Sequence, residues 1–519
     1  MVQYSMFDKS CDRILVRGVN WIGDSVMTLP ALHSLKKAFP EAHIALLVKS
    51  WVAPLFEQNP DINEVIIYEN EFQKFWGKFM LSRKIRKGKF CSSILLQNAF
   101  DAALIMFLAG IKQRAGYRRD GRGFLLTDSV RVPLNYRETH EIFYYLNLLE
   151  HIGIKAEYSV PYLFLSLDER LDARRRLKQL NRPVLGLNPG ATFGSAKRWL
   201  PERFAEISNW FLKDTHGGVV IFGGQKEIDI TDEIFKLIDP RYRADGSVLN
   251  IAGKTNLREL ISLISECDVF VTNDSGPLHI AYALRTPMVA LFGSTDPILT
   301  GPPPGIAGNG AEIIKADIPC SPCFERTCKH SDMRCMYSIL SDDVFHALQK
   351  VLPKRPAVFF DRDGTLCRDT GYPDSFDDLY IFPEIDALTL LKDGGFMLIG
   401  MSNQSGIARG LVHREFVEQV NEMFVSKYGF DDFFYCPHHP DEHCQCRKPE
   451  PGMLLRARLE YGIDLRKSYV VGDKETDMLL AQAVGARGIL VQTGKEKESR
   501  AADFVAKDMK DAVEFILAK

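Results

Sequence analysis

The chain has 519 residues, 46% of them apolar and 25% charged, with a net charge of -2. That is the balance of an ordinary globular protein, long enough for three or four domains of roughly 150 residues. The near-neutral charge excludes a global nucleic-acid or membrane signal, and no apolar run reaches the ~18 residues of a membrane span.

Three α/β units follow one another, with boundaries expected at 1–160, 161–353 and 354–519. The first opens on the strand ILVRG (14–18), turns through GVNWIGD and enters the apolar-periodic helix DSVMTLPALHSLKKAF. Short apolar strands at 44–48 and 93–97 alternate with helical stretches, which predicts a parallel sheet. The turn lacks a GxGxxG fingerprint, so a dinucleotide site is not favoured. It does put Asp24 at the start of a helix, as a helix-terminal carboxylate or as a general base acting on an acceptor hydroxyl. Two basic stretches, Lys78 to Lys89 and Arg114 to Arg122, are solvated faces or a surface for an anionic partner.

The second unit repeats the plan with PVLGLNPG, GVVIFGG, VFVTND and PMVALFG, which makes a two-domain Rossmann-like architecture. After its first strand, NPGATFGSAKRW brings Gly190, Thr192, Gly194 and Lys197 into one loop, offering N–H groups and a cation to a diphosphate. TNDSGPLH sets Asp274, Ser275 and Gly276 just before a helix whose free N–H groups suit an anion. His279 lies one turn in, as a ligand or a packed core histidine. Glu227, in FGGQKE, is a ribose-hydroxyl acceptor or an exposed salt-bridging residue. Four thiols within sixteen residues, Cys320, Cys323, Cys328 and Cys335, are a candidate zinc set.

The third unit starts at AVFFD (357–361). FFDRDGTL places Asp361 and Asp363 at the C-terminal end of a buried strand, where open α/β sheets bind ligands. One aspartate can attack phosphorus and the other can move the proton of the leaving oxygen. Two anions beside a phosphate need a cation, and Mg²⁺ with oxygen ligands fits, Asp473 of YVVGDKETD supplying a third carboxylate. Asp477 is one helical turn further on. Ser402 and Lys448 can donate to the phosphoryl group. In YCPHHPDEHCQCRKP, Cys436, His438, Cys444 and Cys446 form a C-x-H…C-x-C set suited to structural Zn²⁺, with His439 and His443 as lower-ranked rivals. Seven of the eleven cysteines fall in these two clusters, and the first residues hold no apolar leader, so a cytoplasmic protein is expected.

The motifs of the third unit resemble the haloacid dehalogenase phosphatase superfamily. GYPDSFDDLYIFP, SNQSGIARG, CPHHP, CRKPEPGML and VGDKETDM are similar to the D-glycero-D-manno-heptose 1,7-bisphosphate phosphatases. The resemblance implies Asp361 as nucleophile and Asp363 as proton donor. It also implies magnesium on Asp361, Asp363 and Asp473, and substrate contacts from Asp369, Tyr372, Asn403, Gln404, Ser405 and Arg447. Ser402 stands where many relatives have threonine, which keeps the hydroxyl. Histidinol-phosphate phosphatases share the zinc loop and remain an alternative.

W-I-G-D, PGATFGSAKRW and NDSGPLH, across about 13–350, resemble the ADP-heptose:lipopolysaccharide heptosyltransferases of the inverting GT-B type, most nearly heptosyltransferase II. Proline follows Leu200 here, where relatives often have it directly after tryptophan. This second resemblance implies that Asp24 is the base, that Lys197 stabilises departing ADP and that Asp274, Ser275 and Gly276 cradle the diphosphate. The expected partners are ADP-heptose, the lipopolysaccharide inner core and a heptose bisphosphate, without nucleic acid, and with peripheral contact at the inner face of the inner membrane. A first half reduced to an inactive lipopolysaccharide-binding module is the alternative, which retention of Asp24 and Lys197 argues against.

Overall fold

The computed structural model describes residue 7, residues 10–303 and residues 310–518. They divide into two compact units, one running to Val351 and the other starting at Leu352.

The first unit contains two parallel sheets. One consists of β1 (Arg13–Arg17), β2 (His43–Val48), β3 (Glu64–Ile67), β4 (Ser92–Leu95), β5 (Gln113–Tyr117) and β6 (Asp128–Val130), in the order β3-β2-β1-β4-β5-β6. The other consists of β7 (Val184–Asn188), β8 (Gly218–Ile221), β9 (Val248–Asn250), β10 (Val269–Asn273), β11 (Met288–Phe292) and β12 (Ala311–Lys315), in the order β12-β11-β10-β7-β8-β9. The second unit is built on β13 (Ala357–Asp361), β14 (Met397–Asn403), β15 (Asp432–Cys436), β16 (Tyr469–Gly472), β17 (Arg487–Val491) and β18 (Phe504–Ala506), in the order β15-β14-β13-β16-β17-β18.

Each sheet therefore has its first and fourth strands side by side at the centre. β1 pairs with β4, β7 with β10 and β13 with β16, all parallel. Their apolar sequences follow from burial on both faces by flanking helices. Chain direction diverges at these pairs, which opens a crevice beyond the strand ends. The motifs that carry Asp24, Lys197, Asp274, Glu227, Asp361, Ser402 and Asp473 leave one of these central strands or an immediate neighbour, whereas the two cysteine clusters follow the edge strands β12 and β15.

Some residues read as surface groups turn out to be structural. Arg122 is fully buried and donates to the carbonyls of Gln97 and Tyr117, and Arg114 Nε donates to Leu125 O at 2.7 Å. Cys11 and Cys91, outside both clusters, form a disulfide across the starts of β1 and β4. No helix among the described residues is long and apolar enough to cross a membrane.

Candidate active sites

In the first unit the turn after β1 feeds the helix Ile22–Met27, with Asp24 in its first turn. The helix Gly276–Ala283, which follows β10, packs against it so tightly that a Cβ on Gly23 would lie 2.5 Å from His279 Cδ2. His279 is thus a packed residue, and burial pushes its imidazole down to about 4, leaving it neutral. Burial raises Asp24 to about 6, while the Lys197 ammonium opposes the shift and the Asp274 carboxylate adds to it. A carboxylate from the first sheet and a cation from the second are thereby within electrostatic reach of each other.

The second sheet builds its loops around one ion pair. Lys197 Nζ lies 2.5 Å from Asp274 Oδ2, and Thr295 Oγ1 donates to the same oxygen at 2.7 Å. Asn273 ties the two loops together, accepting from Trp199 N at 3.1 Å and donating to Pro189 O at 2.8 Å. Asn188 Nδ2 donates to Ser275 Oγ at 2.9 Å. Thr192 stays exposed. Glu227 caps the backbone of Gly224 at 2.8 Å and presses against Gly190, where an added Cβ would meet its Oε1 at 2.1 Å. Sequence reasoning missed Glu141, in the first turn of the helix Glu141–His151. Burial first and Asp24 second raise it to about 7.

Cys320, Cys323 and Cys328 lie near enough to Cys335 to add to the raising of its thiol by burial, although no three of the four sulfurs fall within 4.8 Å of one another among the described residues. Their loop braces the loop that carries Gly194 and Lys197 through backbone. Arg326 O accepts from Ala196 N at 3.1 Å and lies where a Cβ on Gly194 would be, 2.0 Å away.

In the second unit β13 delivers Asp361, 3% exposed, and β16 leads directly to Asp473, which is fully buried. Lys448 Nζ lies 2.7 Å from both Asp361 Oδ1 and Asp477 Oδ1. Burial raises Asp477 to about 7 against the Lys448 charge, and burial with the Asp361 charge raises Asp473. Asp361, Asp473 and Asp477 offer oxygens within 4.8 Å of one another. Such a set of crowded, buried carboxylates suits a hard divalent cation. Gly364 makes room for it: its φ is +96°, and a Cβ there would sit 2.3 Å from Asp473 Oδ2.

Asp363 is turned away from this group. Burial would raise its carboxyl, but Arg362 at 3.0 Å and Gln404 at 2.8 Å hold it below the usual range. Gln404 also donates to Ser402 Oγ at 2.5 Å, and Asn403 accepts from the Lys448 backbone at 3.1 Å, so both of these residues position other side chains. Ser405 is buried at a helix start, and Tyr372 is half-exposed against Gly406. Asp369 pairs with Lys495 at 3.1 Å and Lys474 at 3.9 Å. Lys474, absent from the sequence-based set, also reaches Asp473 at 3.4 Å and Asp361 at 3.8 Å.

Cys436, His438, Cys444 and Cys446 converge. Cys436 Sγ is 3.4 Å from Cys444 Sγ, Cys444 Sγ 3.5 Å from Cys446 Sγ, and His438 Nδ1 3.2 Å from Cys446 Sγ. These are close to the edges of a tetrahedron with bonds of roughly 2.0–2.3 Å, the dimensions of a zinc site. His439 instead caps the turn Pro440–Glu442 and His443 follows it, outside the cluster.

Residues 78–333 match glycosyltransferase family 9 (heptosyltransferase), and residues 445–512 match the HAD-hydrolase-like family. Lipooligosaccharide heptosyltransferase 2 of Campylobacter jejuni is 30% identical over 342 residues, which is 66% of this chain and 98% of that protein. The D-glycero-beta-D-manno-heptose-1,7-bisphosphate 7-phosphatase of Yersinia pestis is 42% identical over 182 residues, 32% of this chain and 96% of the relative. The structure of Escherichia coli ADP-heptose lps heptosyltransferase II matches with a TM-score of 0.56 at 28% identity, covering 66% of this chain and 98% of that one. The chain therefore belongs to two families, the heptosyltransferases over its N-terminal two thirds and the heptose bisphosphate phosphatases over its C-terminal third.

Proposed function

We propose that this protein is a bifunctional enzyme of lipopolysaccharide core heptose metabolism. Its first unit transfers heptose from ADP-heptose to the inner core, with residues 1–160 receiving the acceptor and 161–353 the nucleotide sugar. Its second unit hydrolyses the 7-phosphate of D-glycero-D-manno-heptose 1,7-bisphosphate. The observation that carries the transferase reading is Asp24 facing Lys197 and Asp274 across the two sheets. Asp24 takes the proton of the acceptor hydroxyl, whose oxygen attacks the anomeric carbon as the bond to ADP breaks. Lys197 and the Gly276 N–H at the start of the helix Gly276–Ala283 stabilise the departing diphosphate.

In the phosphatase an Asp361 oxygen attacks phosphorus while the bond to the sugar oxygen breaks, leaving an aspartyl phosphate that water then hydrolyses. Asp361 and Asp473, with the Asp363 carbonyl, hold Mg²⁺, which supplies charge neutralisation to the phosphoryl oxygens. Lys448 and Ser402 donate to the same oxygens. Paired with Arg362, Asp363 is in the form that accepts a proton from water, and donating one to the leaving sugar requires it to leave that pair. Structural zinc on Cys436, His438, Cys444 and Cys446 pins the loop that leads into Arg447 and Lys448.

The helix Phe75–Lys87 suits a peripheral membrane contact, because Trp76, Phe79 and Met80 are exposed on an otherwise basic helix. The decisive assay gives the full chain ADP-heptose with a heptose-deficient core and, separately, the heptose bisphosphate beside histidinol phosphate. Transfer and a kcat/KM preference for the bisphosphate are expected. Core binding without transfer, or preference for histidinol phosphate, overturns the corresponding half.

A further inference from the structure

Four neighbouring strands of the first sheet deliver a set of side chains that the transfer chemistry above leaves unused. Arg17 ends β1, Lys49 follows β2, Tyr68 follows β3 and Gln97 follows β4. Together with Asn20, Trp51 and Asp101 they line a cavity of about 310 Å³, room for a sugar ring with its substituents. Asn20 belongs to the same turn that carries Asp24, and Trp51 Nε1 donates to Asn20 O at 2.8 Å. The cavity thus adjoins the base on the acceptor side.

Its two cations are buried, Arg17 at 1% and Lys49 at 6% exposure. Arg17 donates to Asn20 Oδ1 at 3.0 Å and Leu47 O at 3.1 Å, while its Nε has no partner. The Lys49 ammonium lies 3.7 Å from the Tyr68 ring centre and makes no hydrogen bond or ion pair among the described residues. Asp101, the one carboxylate lining the cavity, is engaged by Tyr68 Oη at 3.1 Å and Lys78 at 3.5 Å. The Asp101 charge reaches both Arg17 and Lys49, so two buried cations share one carboxylate that Lys78 also engages, and a ligand anion would offset the remaining positive charge. Trp51, half-exposed, presents an apolar face suited to a sugar ring.

We propose that this cavity is an acceptor subsite, in which Lys49 and Arg17 bind an anionic group, a carboxylate or a phosphomonoester, on the acceptor sugar beside the one that reacts. The inference rests on the transferase reading. It is tested with full-length wild type and Lys49→Gln at saturating ADP-heptose. Each receives three acceptors: intact core, dephosphorylated core and carboxyl-reduced core. In the wild type, the modification that removes the bound group raises acceptor KM about tenfold, as loss of a charged hydrogen bond does. In Lys49→Gln that same modification changes KM less than about twofold, while the KM for ADP-heptose stays near the wild-type value and reports an intact fold. Lys49→Arg, which keeps the charge, retains the wild-type sensitivity. The responding arm identifies the group as phosphate or carboxylate. Equal sensitivity of wild type and Lys49→Gln in both arms overturns the subsite alone. No transfer by the wild type to intact core overturns the transferase reading, and the subsite with it.

Discussion

Asp24 must be ionised to accept a proton, and its pKa stands near 6, so transfer should fall as the pH drops through about 6. The Lys197 charge holds that value down; Lys197→Met should therefore move the acid limb of the transfer profile to higher pH, besides lowering the rate. An acid limb that stays put would remove Asp24 as the titrating base. Asp24→Ala should reduce transfer kcat by about 10²–10⁴-fold, as expected for a lost general base. Gly364 is a residue of another kind: its positive φ and the Asp473 carboxylate at the Cβ position leave no room for a side chain. Gly364→Ala should cost about 1–3 kcal/mol in denaturant unfolding of the second unit and lower phosphatase activity as well. Asp24, Lys197, Asp361 and Asp473 were legible in the sequence because each follows a strand in a distinctive short motif. Glu141 and Lys474 were not, since only tertiary proximity connects Glu141 with Asp24, or Lys474 with Asp369 and Asp361. The pairing of Asp363 with Arg362 was equally hidden, for sequence spacing does not say which way a side chain turns.

Among the elements, the buried central strands were legible as apolar runs, whereas the edge strands β6, β9 and β18, three residues each, carry too little pattern to be read. Cysteine spacing is legible in the sequence, but how closely the thiols converge is not. Both clusters have metal-like spacing, yet one converges on four donors and the other braces a loop through Arg326 O. Cys444→Ser should lower zinc by one ion per chain in elemental analysis and loosen the segment bearing Arg447 and Lys448. Unchanged zinc content would rule out the cluster as its holder. The exposed Trp76 and Phe79 belong to the basic helix Phe75–Lys87. Replacing both with serine should reduce sedimentation with anionic vesicles while ADP-heptose binding stays intact; unaltered sedimentation would refute a membrane role for this helix.

For the whole molecule, two catalytic centres lie in two separately compact units. Removing the 7-phosphate leaves a heptose 1-phosphate, which must still receive a nucleotide before it can serve as ADP-heptose, so the two steps are not consecutive and the fusion does not imply channelling. In the full chain, Asp361→Asn should abolish phosphate release and leave transfer at the wild-type rate, with Asp24→Ala doing the reverse. Loss of both activities in either variant would mean that the units are coupled.

Three successive sheets with the first and fourth strands paired at their centres also bear on how the chain is made. β1, β7 and β13 are five-residue strands, each paired in parallel with the next strand in the chain and with one that arrives two strands later still. Partly synthesised sheets leave such strand edges unpaired, so pairing between strands of different sheets is the expected misfolding hazard. RILVR, VLGLN and AVFFD present different side-chain shapes, and close packing makes that difference a cost against such exchange.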